Sequence, residues 1–171
     1  YYAFALFYAL GPMLGHCWYL YYQTIWWDKL LHTAGGVAFA ALGAFLHNCL
    51  QKEQRSFVAS AVFALCFSVT VSVLWEFLEF GADYFLGMDM QSDTVLTGFT
   101  SYFLGDAVGM TGTVQNIRTV TVNGAVLPVA GYIDVGLFDT MLDMLVETLG
   151  ALMTAVLLWL GKGRHPLLAA E

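Results

Sequence analysis

Positive charge is what this chain has least of: six lysines and arginines stand against thirteen aspartates and glutamates, a net charge of −7. That balance excludes a nucleic-acid binder and a protein anchored through a basic patch. Charge of either sign is sparse, at 11% of residues, which is too little for the surface of an ordinary soluble domain. The three cysteines, Cys17, Cys49 and Cys66, are odd in number, lie in apolar runs and form no CxxC pair. A disulfide framework and a thiolate metal knuckle are thereby excluded, and the thiols are expected to be buried small hydrophobes. No Gly-x-Ser-x-Gly elbow and no phosphate loop occurs, so soluble nucleophilic catalysis has no support. The chain opens Tyr1-Tyr2-Ala3 inside an apolar run, without an initiator Met, a basic n-region or a small-residue cleavage site. No signal peptide is read from this, and sequence upstream is expected. Internal repeats, low-complexity tracts and linkers are missing too, which predicts one domain over 1–171.

Hydrophobic residues make up 59% of the chain, and their distribution decides the class. A spanning helix needs roughly 20 mostly apolar residues to cross about 30 Å of hydrocarbon. Four segments qualify, at about 1–22, 28–50, 56–86 and 138–160. The expected fold is an all-α polytopic membrane protein, a bundle of four transmembrane helices, with the third long enough to tilt or project. Lys52 and Arg55 lie in the short turn 51–55, and Lys162 and Arg164 follow the last segment. The positive-inside rule places that turn and the C-terminus on the cytoplasmic side. By alternation the connection 87–137 faces outward, as does the turn near Trp18, Tyr19, Tyr21, Tyr22, Trp26 and Trp27, whose rings suit an interfacial belt.

A connection of that length should carry structure of its own. Asn123-Gly124 supplies the positive φ angles of a type I′ turn between 117–122 and 125–129, which predicts a β-hairpin in the insertion. Upstream, 94–104 is apolar and aromatic enough to lie along the membrane surface or over the bundle mouth. Gly36, Ala40 and Gly43 leave one face of the second segment narrow, and Gly150 with Thr154 offers a shorter version on the fourth, so both should be sites of close helix packing.

An ionisable group at the bilayer centre costs about 2.5 to 3.5 kcal/mol, so each one needs a reason. Asp28 and His32 lie four apart at the start of the second segment; Glu76, Glu79 and Asp83 form a stripe at the end of the third; Asp139, Asp143 and Glu147 repeat every four residues at the start of the fourth. The topology carries all three stripes to the non-cytoplasmic end, and His16 could reach the same layer. Asp28 and Asp139 also suit helix N-terminal caps. Glu76 and Glu79 have no such excuse, since the C-terminal end of a helix disfavours negative charge, and Phe77, Leu78 and Phe80 around them leave the bundle interior as their natural place. His47 and His165 fall at the cytoplasmic end, where solvated or interfacial positions are expected.

Three motifs carry a family resemblance: Trp27-Asp28-Lys29-Leu30-Leu31-His32 with Gly36; Leu74-Trp75-Glu76-Phe77-Leu78-Glu79-Phe80; and Asp139-Thr140-Met141-Leu142-Asp143-Met144 followed by Gly150-Ala151-Leu152. In order and spacing they resemble the YjdF-like family of uncharacterised bacterial inner-membrane proteins, from about His16 onward. The resemblance implies a prokaryotic inner-membrane location and about two further spanning helices at the N-terminus. The 87–93 segment and the Asn123-Gly124 hairpin look like a subgroup with a larger insertion. A more distant similarity runs to VanZ-like membrane proteins, which pair an Asp-Lys-x-x-His helix with a later acidic helix and an Asp-bearing final helix. Neither resemblance implies a reaction.

Three functions are compatible with these residues. The first is a divalent-metal site, with Asp28, His32, Glu76, Glu79, Asp139 and Asp143 as ligands for Mg²⁺, Mn²⁺, Ca²⁺ or Zn²⁺. It would serve hydrolase or transferase chemistry on a lipid-linked or small polar substrate at the outer leaflet, with Glu76, Glu79 or Asp143 as base. A bound cation would also neutralise carboxylates that cannot all stay ionised in a low dielectric. The second is a cation- or proton-coupled transporter, against which the inner halves of the helices show no polar track. The third is a structural or partner-binding subunit whose acids tie helices together through shared protons.

Overall fold

The structure is a computed structural model describing residues 2–24, 26–51 and 56–161. Among the described residues there are five helices: α1 (Tyr2–Cys17), α2 (Leu20–Gln23), α3 (Trp26–Leu50), α4 (Phe57–Leu86) and α5 (Leu137–Gly161). Three of them, α3, α4 and α5, are long and apolar enough to cross a membrane, and their ends fall within one or two residues of the expected segments. The first expected span differs. Its helix covers 16 residues, about 24 Å at the usual rise, and stops where Tyr19 takes a left-handed conformation with φ 57° before the single turn of α2. A non-glycine residue there does not continue a right-handed helix. The basic residues of the 51–55 turn and of the C-terminus, together with His165, lie outside the described residues.

Side-chain hydroxyls and carboxylates set the helix starts. Thr24 Oγ1 accepts the Trp26 N–H at 3.0 Å at the start of α3, and Ser56 Oγ accepts the Ala59 N–H at 3.3 Å, as an N-cap should. For α5 the acceptor is Asp134, whose Oδ2 takes the Phe138 N–H at 2.8 Å. The cap predicted at Asp139 is therefore supplied from upstream, and the Asp139 Oδ2 accepts the Ser92 N–H at 2.8 Å.

Contacts divide the chain into two compact units, one of the residues up to Glu79 with those from Met141, the other Phe80–Thr140. The first has an inverted surface. On α4 the buried positions are Ser60, Ala64, Ser68, Ser72, Glu76 and Glu79, whereas Phe77 is 65% and Leu78 64% exposed. Polar groups inside and large apolar groups outside is the arrangement expected when hydrocarbon is the solvent. Small residues let the backbones meet. A Cβ on Gly36 would strike the Glu147 carbonyl, one on Gly150 the Thr33 carbonyl, and one on Gly43 the Ala64 and Phe67 atoms of α4. Ala40, Ala44, Ala64, Ala151 and Leu158 complete this narrow core, so the small-residue faces of the sequence are the helix contacts. Cys17, Cys49 and Cys66 are free but exposed on the helix flanks, not buried as expected. A thiol is apolar enough for a face turned to hydrocarbon.

The second unit holds three two-stranded antiparallel pairs. β4 (Thr121–Val122) and β5 (Ala125–Val126) form the expected hairpin, with Asn123 at φ 50° and Gly124 at φ 83° in its turn. The 94–104 segment is divided among short elements. β1 (Val95–Leu96) pairs with β6 (Tyr132–Ile133), β2 (Phe99–Ser101) pairs with β3 (Gly112–Val114), and a 3₁₀ turn follows at Tyr102–Leu104. Carboxylates organise the rest. Asp83 accepts the N–H groups of Met90 and Gln91 at 2.6 and 2.8 Å, and Asp134 Oδ1 accepts the Thr94 N–H at 2.8 Å. Asp93 lies among these acids, and its pKa is raised by partial burial first and then by Asp89, Asp134 and Asp83. An acid whose folded pKa is raised favours folding while protonated and loses that contribution as pH climbs through the shifted range. Asp93→Asn should therefore slow exchange of the Thr94 amide at pH 7 by about twofold, the modest size expected of a mostly exposed group. Hydrogen-exchange mass spectrometry should show the difference vanish near pH 3; an equal effect at both pH values would rule out charge as its origin.

Candidate functional site

The first turns of α3, the last third of α4 and the early turns of α5 bring seven ionisable side chains together: Asp28, Lys29 and His32, then Glu76 and Glu79, then Asp143 and Glu147. All but Asp28 and Lys29 are buried, with Asp143 at 0% exposure. Helical spacing explains the gathering. Residues four apart share a face, and the glycine contacts of α3 with α5 press those faces together.

The geometry is specific around His32. Its Nε2 lies 3.7 Å from Asp28 Oδ1 and 3.9 Å from Asp143 Oδ1, while its Nδ1 lies 3.5 Å from Glu147 Oε2. On the far side Lys29 Nζ reaches Asp143 Oδ2 at 2.8 Å and Asp28 Oδ2 at 3.1 Å. Lys29 thus grips one oxygen of each aspartate and leaves the other turned to the imidazole. Asp143 Oδ1 is buried there without a hydrogen-bond partner, as is Glu147 Oε1. Among the described residues, two sets of groups have ligand atoms within 4.8 Å of one another, Asp28 with His32 and Asp143, and His32 with Glu76 and Glu79. His32 is common to both. Glu79 also accepts the Trp75 indole N–H at 2.7 Å.

Of the residues singled out from sequence, Asp28, His32, Glu76, Glu79, Asp143 and Glu147 meet in the first unit. Asp139 and Asp83 belong to the second, where their carboxylates receive backbone N–H groups. His16 packs its exposed ring on Tyr21, with centroids 5.1 Å apart, and His47 sits against Phe63 and Gln51.

Two features escape the sequence reading. One is Lys29, which beside Asp28 looks like an interfacial lysine. The other is a run of buried hydroxyls along α4. Ser60 donates to Asn48 Oδ1 at 3.3 Å, Ser68 donates to the Gly36 carbonyl at 3.2 Å, and Ser72 Oγ lies buried one turn before Glu76 without a hydrogen-bond partner. Their spacing in multiples of four was the available signal.

A cavity of about 370 Å³ adjoins the cluster. Asp28, His32, Glu79 and Glu147 line it, together with Tyr21 and Trp75, and its other walls are apolar, from Pro12 on α1 to Val71 and Leu78 on α4.

A family model described as "Predicted membrane protein (DUF2238)" matches residues 1–164. No curated protein and no solved structure gives a significant match.

Proposed function

We propose, for a chain that belongs to the DUF2238 family of predicted membrane proteins, that the acid and histidine cluster is a divalent-cation site serving hydrolase or transferase chemistry on a membrane-associated substrate. The observation that carries this reading is the triangle of Asp28 Oδ1, Asp143 Oδ1 and His32 Nε2, with the buried Asp143 oxygen left without a hydrogen bond. A divalent ion with bonds of about 2.0 to 2.5 Å holds ligand atoms roughly 3 to 4 Å apart. Glu147 supports the same assignment. A carboxylate beside Nδ1 keeps the proton there and turns the Nε2 lone pair toward the two aspartates, the usual arrangement behind a metal-bound imidazole. Glu76 and Glu79 form a second group with His32 and in this reading complete the coordination or act as a base. Mg²⁺, Mn²⁺, Ca²⁺ and Zn²⁺ all suit oxygen and imidazole donors.

In this reading the bundle has four helices, with α1 the partial fourth, and the cluster lies at the non-cytoplasmic end of a prokaryotic inner membrane. The basic residues near 51–55 and 162–164 support that orientation. The three sequence motifs support the YjdF-like grouping within the family.

Titration of Mn²⁺ into the protein in nanodiscs, followed by the loss of the free-ion electron paramagnetic resonance signal, tests the site. Binding is expected in the wild type and absent in Asp143→Asn and Glu76→Gln, with Glu147→Gln weaker by about 10- to 100-fold. Wild-type protein that leaves the Mn²⁺ signal unchanged would refute the site. A second reading, a proton-coupled transporter, draws on the Ser60, Ser68 and Ser72 run, which continues polar character from Glu76 toward the other end of α4. It predicts proton flux into liposomes that Ser72→Val and Ser68→Ala abolish.

A further inference from the structure

The cavity beside the cluster is built of two chemically different ends. At one, Asp28, Glu79 and Glu147 meet the rings of Tyr21 and Trp75. From there the walls of α3 and α4 continue through Leu31, Phe39, Val71 and Leu74. The stretch from His32 to Phe39, or from Glu79 to Val71, runs about 10 to 12 Å along the helices. That length and a volume of about 370 Å³, near the lower end for small-molecule sites, suit a single hydrocarbon chain and not two. The cavity also opens on a flank. Leu74 and Leu78 line it, yet both are more than half exposed on the outer apolar face of α4, so an acyl or alkyl chain in the bilayer can enter sideways.

The polar end selects the sign of the head group. Among the described lining residues there is no lysine or arginine, and Lys29 is turned to Asp28 and Asp143. Five carboxylates, Asp28, Glu76, Glu79, Asp143 and Glu147, share the cluster with Lys29 and His32. Three of the five border the cavity. Glu147 Oε1 is buried there without a hydrogen-bond partner, in a side chain only 4% exposed. Carboxylates next to Trp and Tyr rings are the surroundings that an organic ammonium prefers, through ion pairing and cation–π attraction.

We propose that this cavity binds a single-chain amphiphile with a protonated amine head, the chain along α3 and α4 and the ammonium against Glu79 and Glu147. The inference rests on the reading of the cluster as a cation site and specifies the substrate class that site would receive.

Dodecylamine, dodecanol and dodecanoate share one chain and differ in head charge, so they separate head recognition from mere apolar filling. Each is added to the full-length protein in nanodiscs, and bound mass is scored by native mass spectrometry beside a parallel Mn²⁺ titration. Dodecylamine is expected to bind about tenfold more tightly than dodecanol, with dodecanoate weaker still, and Glu147→Gln should remove about tenfold of the amine affinity. Leu74→Trp, which fills the apolar arm, should abolish amine binding and leave Mn²⁺ binding intact. Asp143→Asn, outside the cavity wall, should do the reverse. Equal binding of the three probes, or amine binding that survives Leu74→Trp, overturns the proposal. Selective amine binding in a protein that takes up no Mn²⁺ removes the metal reading and leaves the amphiphile site standing, while Mn²⁺ uptake without amine selectivity does the opposite.

Discussion

Lys29→Met is expected to destabilise the protein by about 3 to 5 kcal/mol, the cost of leaving a buried ion pair with only one of its charges. The Nζ lies 2.8 Å from Asp143 Oδ2, the Asp143 side chain is 1% exposed, and the same ammonium reaches Asp28. Removing it leaves two neighbouring aspartates whose outer oxygens lose their cation. Thermal unfolding in detergent would show the loss as a large drop in midpoint. Lys29→Met with Asp143→Asn should recover much of it, because the stranded charge goes with its partner. The cation-site reading adds a further expectation. Mn²⁺ should raise the midpoint of Lys29→Met more than that of the wild type, since the ion then supplies the positive charge that Lys29 gave the two aspartates. A variant as stable as the wild type without metal would mean that Lys29 carries no structural charge, and the account of the cluster would fall with it.

Gly36→Val is expected to part α3 from α5. An added Cβ meets the Glu147 carbonyl oxygen, and backbone cannot swing aside as a flexible side chain can. Overpacking of this kind costs about 1 to 3 kcal/mol, more where the backbone itself blocks the atom. The effect should reach the cation site. His32 is one turn before Gly36 on the same face, and Glu147, the residue struck, is the partner of His32 Nδ1. A fall in Mn²⁺ affinity of about 10- to 100-fold is expected, the usual consequence of losing the group that orients a ligand histidine. Gly81→Ala is the control, since its new Cβ meets only Phe85 at 4.0 Å, and better helix propensity should make it neutral or stabilising by about 0.5 to 1 kcal/mol.

The three long helices and the meeting of Asp28, His32, Glu76, Glu79 and Asp143 were legible before any coordinates, because hydrocarbon imposes a length on each helix and a penalty on each charge. The Asn123-Gly124 turn was legible for an equally local reason. What stayed hidden depended on partners far away in the chain. Lys29 takes its meaning from Asp143, 114 residues on. The pairing of Val95 with Ile133 involves strands too short to carry a pattern. The stop of α1 at Tyr19 was masked by a run of aromatics that reads equally well as an interfacial belt. The buried cysteine expectation failed because apolar character was equated with the interior, whereas here the helix flanks are the apolar side.

The stitches at the two ends of the insertion have a consequence for its length. Gln91 donates its backbone N–H to Asp83 and its side-chain amide to Thr140, while Asp134 receives both Thr94 and Phe138. Entry and exit are thereby sewn together within a few residues of one another. Everything between Val95 and Ile133 hangs from that seam as a cassette, free to be lengthened, trimmed or exchanged without asking the seam to be recut.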